Sequence, residues 1–80
     1  MKRLDKLKKA LTLEFCDIEF SFHGKNCGVE PIVENSLVTY NVWCNDRLET
    51  FKSADEVLDS PMFDGKTLRE IAEDIDFFYV

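Results

Sequence analysis

Eighty residues, 45% of them hydrophobic and including seven Phe, hold apolar material for one small core and no second one. Charged residues at 32% beside that apolar content exclude a disordered chain, and a formal net charge of -6 sets most of the molecule against nucleic acid. The charge is uneven: residues 1 to 10 carry Lys2, Arg3, Lys6, Lys8 and Lys9 against Asp5, while the rest carries five bases against fifteen acids.

The basic opening does not read as a secretory signal, because its apolar run is broken at Lys8 and Lys9 and ends by Glu14. No run of eighteen apolar residues exists, so no membrane span is expected. Cys16, Cys27 and Cys44 are odd in number and widely spaced, which predicts free thiols in a reducing, cytoplasmic setting.

In chain order, Leu4, Leu7 and Leu11 form the stripe of a short amphipathic helix over residues 2 to 11, with its lysines opposite. The period then becomes two. In "EFCDIEFSF" Cys16, Ile18, Phe20 and Phe22 alternate with Asp17, Glu19 and Ser21; in "LVTYNVWCN" Val38, Tyr40, Val42 and Cys44 alternate with Leu37, Thr39, Asn41 and Trp43. "RLETFK" is a further strand, and a two-residue loop drawn from "NDR" sets Phe51 on the Val42 face and Leu48 beside Trp43.

Beyond Lys52 the period is helical again. Ser53 with Glu56 is a capping box opening a short helix that Pro61 stops, and Thr67 with Glu70 opens a second, striped by Leu68, Ile71, Ala72 and Ile75. The closing "FFYV" is too apolar to leave in water and is expected as a docked tail, an added strand or a contact surface. The pattern predicts a single α+β domain over residues 1–80: a small antiparallel four-stranded sheet, with an N-terminal helix and two C-terminal helices packed on one face.

The sequence offers three candidate sites for chemistry. "DGKT", Asp64 to Thr67, ends like a phosphate loop, but Ser60 stands where the earlier glycine belongs and Pro61 replaces the preceding strand, so a tight turn into the Thr67 cap is expected. Cys16, His23, Cys27 and Cys44 have zinc-ligand chemistry but no C-x2-C spacing. A two-residue Gly24-Lys25 hairpin loop predicts Phe22 opposite Cys27, Phe20 opposite Val29, Ile18 opposite Pro31 and Cys16 opposite Val33. On that register the cysteines are small core residues and His23 points away, so neither a metal centre nor a cysteine nucleophile is expected. Carboxylates such as Asp55, Glu56, Glu70, Glu73 and Asp74 fall on helix caps and solvated faces. No catalytic residue, metal or cofactor is predicted.

Surface recognition is left. On the face away from the helices the alternation places Trp43 beside Leu48, with Leu37 and Ile32 near them. The competing expectation is a second small cluster covered by the "FFYV" tail. The segments "S-x-D-E-V-L" (Ser53 to Leu58) and "F-D-G-K-T-L-R-E-I" (Phe63 to Ile71), behind strands joined by a Gly-Lys turn, resemble short bacterial proteins of a domain of unknown function. That resemblance, over residues 17 to 76, implies a fold and no activity.

The expected function is a non-enzymatic, acidic protein-interaction module, binding a protein partner or itself as a homodimer through Trp43, Leu48, Phe78 and Tyr79. The alternative is a nucleic-acid or anionic-surface accessory that uses Lys2, Arg3, Lys6, Lys8 and Lys9.

Overall fold

The computed structural model describes residues 2–79. Its elements are α1 (Lys2–Lys9), a π-helical turn (Ala10–Glu14), β1 (Ile18–Phe22), β2 (Lys25–Glu34), β3 (Leu37–Cys44), β4 (Arg47–Phe51), α2 (Ala54–Asp59), α3 (Leu68–Ile71) and β5 (Phe78–Tyr79). The architecture is α+β. The strands form one antiparallel sheet in the order β4-β3-β2-β1-β5, so the described residues hold five strands where four were expected. The extra strand is the C-terminal tail: β1 would otherwise offer an unpaired edge, and Phe78 and Tyr79 cover it opposite Glu19 and Ile18. Val80 lies outside the described residues.

Three hairpins turn on two-residue loops. His23 and Gly24 (φ 51° and 75°) and Asn35 and Ser36 (φ 49° and 65°) have the paired positive φ of type I′ turns; Asn45 (φ 59°) leads the third. The first corrects the expected Gly24-Lys25 loop. Phe22 pairs with Lys25, Phe20 with Cys27 and Ile18 with Val29, a slip of two residues from the predicted register. A two-residue slip preserves which side chains face inward, so Ile18, Phe20, Phe22, Cys27 and Val29 stay in the core with new partners, while Cys16 and Val33, expected as a core pair, fall outside it.

The reason lies in His23. Histidine enters the left-handed region more readily than most residues, and here its ring stacks on Phe22 with centroids 3.8 Å apart. Its Nδ1 lies 2.9 Å from Asp64 Oδ2. The residue expected on the outward face of a strand is therefore the first residue of the turn.

Pro31 explains where β1 begins. The Asn45 N–H donates to the Asn26 carbonyl at 2.8 Å, so alternate β2 residues, Pro31 among them, turn their nitrogens toward β1 rather than β3. A proline has no N–H to give. β1 pairing stops at Ile18 opposite Val29, short of Pro31, and Cys16, expected inside the first strand, precedes it and is half-buried.

One sheet face and the helices share a single core. Ile18, Phe20, Phe22, Cys27, Val29, Tyr40, Val42 and Cys44 meet Leu4, Leu7 and Leu11, then Val57, Leu58, Leu68 and Ile71. Phe20 and Phe63 sit ring to ring at its centre, 5.5 Å apart. Burying side chains of this size contributes about 1.5–3 kcal/mol each. Among the described residues no buried side-chain polar atom lacks a partner. The phenol of Tyr40, for example, donates to the Leu11 carbonyl at 2.9 Å where α1 widens into its π turn, and Phe15 (φ 49°) ends that turn in the left-handed region.

The helical caps follow the sequence in part: of the box expected at Ser53 and Glu56 only one half is made. The Glu56 N–H donates to Ser53 Oγ at 3.1 Å. Thr67 and Glu70 form the full reciprocal box, with Glu70 N–H to Thr67 Oγ1 at 3.1 Å and Thr67 N–H to Glu70 Oε1 at 2.9 Å. "DGKT" is a tight turn: Asp64 (φ 55°) and Gly65 (φ 80°) sit between Phe63 and Lys66, which exchange backbone hydrogen bonds.

Candidate functional site

Among the described residues, no helix packs on the face of the sheet opposite the core. Its strand residues are Glu19 and Ser21; Asn26, Gly28, Glu30, Ile32 and Glu34; Leu37, Thr39, Asn41 and Trp43; Leu48 and Thr50; and Phe78. The pairings run one row straight across it: Phe78 opposite Glu19, Glu19 opposite Gly28, Gly28 opposite Trp43, Trp43 opposite Leu48.

Gly28 is what shapes the row. A Cβ there would overlap the six-membered ring of the Trp43 indole and stand 2.7 Å from the Ile18 carbonyl oxygen. Glycine in a strand interior marks a close approach, and here the indole lies on bare backbone in the space a side chain would fill. Trp43 is half-buried, although among the described residues no helix covers it. The ends of the row stay open, with Leu48 66% and Phe78 64% exposed, as does Leu37 at 71%.

A second row is polar. Thr50 Oγ1 donates to Asn41 Oδ1 at 2.8 Å, and Asn41 Nδ2 donates to Glu30 Oε1 at 3.3 Å. This chain holds the Glu30 carboxylate in place. The Asp17 carboxyl, just ahead of β1, is raised above its ordinary range by burial and then by the charge of Glu30. Every ionisable strand residue on this face is an acid: Glu19, Glu30 and Glu34. The strand bases, Lys25 and Arg47, occupy inward-face positions at the hairpin ends, where Arg47 pairs with Glu49 at 2.6 Å.

Of the four residues expected to carry contact, the structure sets Trp43, Leu48 and Phe78 in this row. Tyr79 is not with them. It stands opposite Ile18 with its side chain on the inward side of the edge, packed edge-on against Phe77 at 6.3 Å. Sequence reasoning passed over Gly28 and Glu19, which complete the row. The signal was present for Gly28, a glycine at an outward strand position.

Elsewhere the zinc-type residues separate. Cys27 pairs with Cys44, their sulfurs 3.1 Å apart in the core, while His23 and Lys25 converge on Asp64. Hydrogen bonds from Lys25 and then His23 hold the Asp64 carboxyl below the usual carboxylate range. Among the described residues no group of three or more ligand-type side chains is placed to hold a metal. In comparisons with protein families, curated proteins and solved structures, nothing matches the chain.

The basic N-terminal segment is partly committed to the fold. Arg3 Nη1 donates to the Glu73 carbonyl at 2.8 Å, its other terminal nitrogen lies 3.0 Å from Asp76, and the Leu4 N–H donates to a Glu73 carboxylate oxygen at 2.9 Å. Lys2, Lys6 and Lys9 remain exposed and Lys8 is half-buried. No helix among the described residues is long and apolar enough to cross a membrane.

Proposed function

We propose that the chain is a protein-interaction module whose contact surface is the uncovered sheet face, centred on Trp43 and Leu48 and extended by Phe78. The observation that carries this reading is the continuous cross-strand row, in which an indole is held flat by Gly28 between exposed apolar ends. A preorganised aromatic anchor loses little entropy on binding, which is the character of interface hot spots. The acids on the same face set the partner's chemistry. Two copies stacked on this face would bring Glu19, Glu30 and Glu34 against like charges, so a second protein with basic groups around an apolar centre fits better than a second copy.

Trp43 is the chain's one tryptophan, so its emission reports directly on this face. The test compares proteins co-purified from the native cell by the wild-type chain, by Leu48→Ser, by Trp43→Ala, and by a chain with Lys2, Lys6 and Lys9 neutralised. Light scattering over a concentration series accompanies it. A partner retained by wild type and the lysine variant, lost with both face variants, and shifting Trp43 emission to the blue supports the proposal. If the lysine changes alone abolish capture, the nucleic-acid or anionic-surface reading replaces it. An unchanged set of captured proteins across all four, with a monomer throughout, overturns it.

A further inference from the structure

Cys27 and Cys44 are directly opposed on β2 and β3, and their surroundings resemble a site more than inert packing. The neighbouring pair, Asn26 with Asn45, is hydrogen-bonded, so Cys27 and Cys44 form a non-hydrogen-bonded pair. Such pairs hold their Cα atoms about 4.5 Å apart, inside the range of roughly 4.4–6.8 Å that a disulfide bridges. The thiols already point at each other with Sγ atoms 3.1 Å apart. Joining them needs side-chain rotation and no change of register.

Access is one-sided. Cys27 has no exposed surface, while Cys44 is 6% exposed and lines a surface cavity of about 290 Å³ with Lys25, Arg47, Met62 and Asp64. We propose that Cys44 and Cys27 are a dithiol oxidation site whose oxidant is hydrogen peroxide entering by that cavity and whose product is a cross-strand disulfide.

The Cys44 sulfur, as thiolate, attacks one peroxide oxygen. The O–O bond breaks, and the departing hydroxide takes up a proton and leaves as water. Cys44 is left as a sulfenic acid. The Cys27 sulfur then attacks the Cys44 sulfur, the S–O bond breaks, and the second hydroxide leaves as water with the Cys27 proton. Two thiols have lost two electrons and two protons, and one peroxide has become two waters.

The Lys25 ammonium lowers the Cys27 thiol, but burial and the Cys44 thiol outweigh it and push Cys27 up to about 12. Cys27 is therefore the protonated partner at neutral pH, the one that brings its proton to the second step. The product would fasten β2 to β3 one position from Gly28 and Trp43.

The experiment uses Cys16→Ser, which removes the third thiol, treated with hydrogen peroxide and followed by mass spectrometry. The expected product is a monomer lighter by about 2 Da, with a Cys27–Cys44 linked peptide, no thiol titratable until reductant is added, and a melting temperature higher by roughly 10 °C. Two free thiols persisting after peroxide has consumed an equal dose of free cysteine would overturn the site, as would cross-linked dimers or separate sulfinic acids as the main product. Single variants test the order of events in chains first shown to melt cooperatively. Cys27→Ala should accumulate a dimedone-trappable sulfenic acid on Cys44, whereas Cys44→Ala should leave Cys27 unreactive; the reverse pattern overturns the assignment of Cys44 as the entry point.

Discussion

The same strands present two unlike faces. Inward, positions two apart are Ile18, Phe20 and Phe22, then Cys27 and Val29, then Tyr40, Val42 and Cys44, closed over by three helices. Outward, the intervening positions mix Trp43, Leu48 and Ile32 with Glu19, Glu30 and Asn41, and no helix among the described residues covers them. The inner face reaches its low exposure by stacking a second layer on itself. On the outer face, where Glu19, Glu30, Ile32, Thr39 and Asn41 are half-buried as well, the missing side chain at Gly28 leaves the space in which Trp43 lies down. A sheet of this size can therefore finish its core on one side and still keep a rigid aromatic surface on the other, because the rigidity comes from neighbouring backbone instead of a covering layer.

The contrast predicts unequal sensitivities. The largest effect belongs to the core: Phe63→Ala should cost about 3–5 kcal/mol in urea unfolding, a large share of the roughly 5–15 kcal/mol that a domain of this kind possesses. A loss under about 1 kcal/mol would show the helical layer to be loosely docked.

Alkaline pH probes the dryness of the same face. The Cys27 thiol rises from its usual 9.0 to about 12 in the folded chain, so between those values the unfolded chain has lost a proton that the folded one keeps. Its stabilising effect is complete below pH 9 and drains away as pH climbs toward 12. Cys27→Ala should flatten that part of the stability–pH curve, and an unaltered slope would mean the sulfur is wet.

On the outer face, Gly28→Ala should cost about 1–3 kcal/mol, as an overpacked site does. It should also move Trp43 emission to the red as the indole lifts into water. Unchanged emission would mean that the indole does not rest on Gly28. The smallest effect is expected at Leu48→Ser, within about 0.5 kcal/mol of wild type. A larger loss there would show that the outer row supports the fold and would weaken the contrast between the faces.

Much of this was legible because alternation is a parity signal. Ile18, Phe20 and Phe22 were placed inward from their neighbours alone, and Trp43 was set beside Leu48 by turn length. Both caps followed from Ser53–Glu56 and Thr67–Glu70 with no long-range information. The first hairpin was misread because the left-handed conformation of His23 is supported by Asp64, 41 residues along the chain, which no local rule contains. The fifth strand was one of three readings of "FFYV", since only the assembled sheet shows that the β1 edge needs covering. The outer row was half visible: Trp43 and Leu48 came from parity, whereas Phe78 joined them only once β5 had a register. Gly28 could have been read from its outward position.

Each of the first four strands follows its neighbour through a two-residue turn, so those three pairings can close locally and at small entropic cost. β5 is different, because its two residues bring the far end of the chain back to β1. That pairing belongs late in assembly and is the natural first step of fraying. When it detaches, β1 regains an unpaired edge able to recruit another strand, and the outer row loses Phe78 in the same event. Loss of that two-residue pairing would thus change the outer row at the moment when the β1 edge becomes able to join another chain edge to edge.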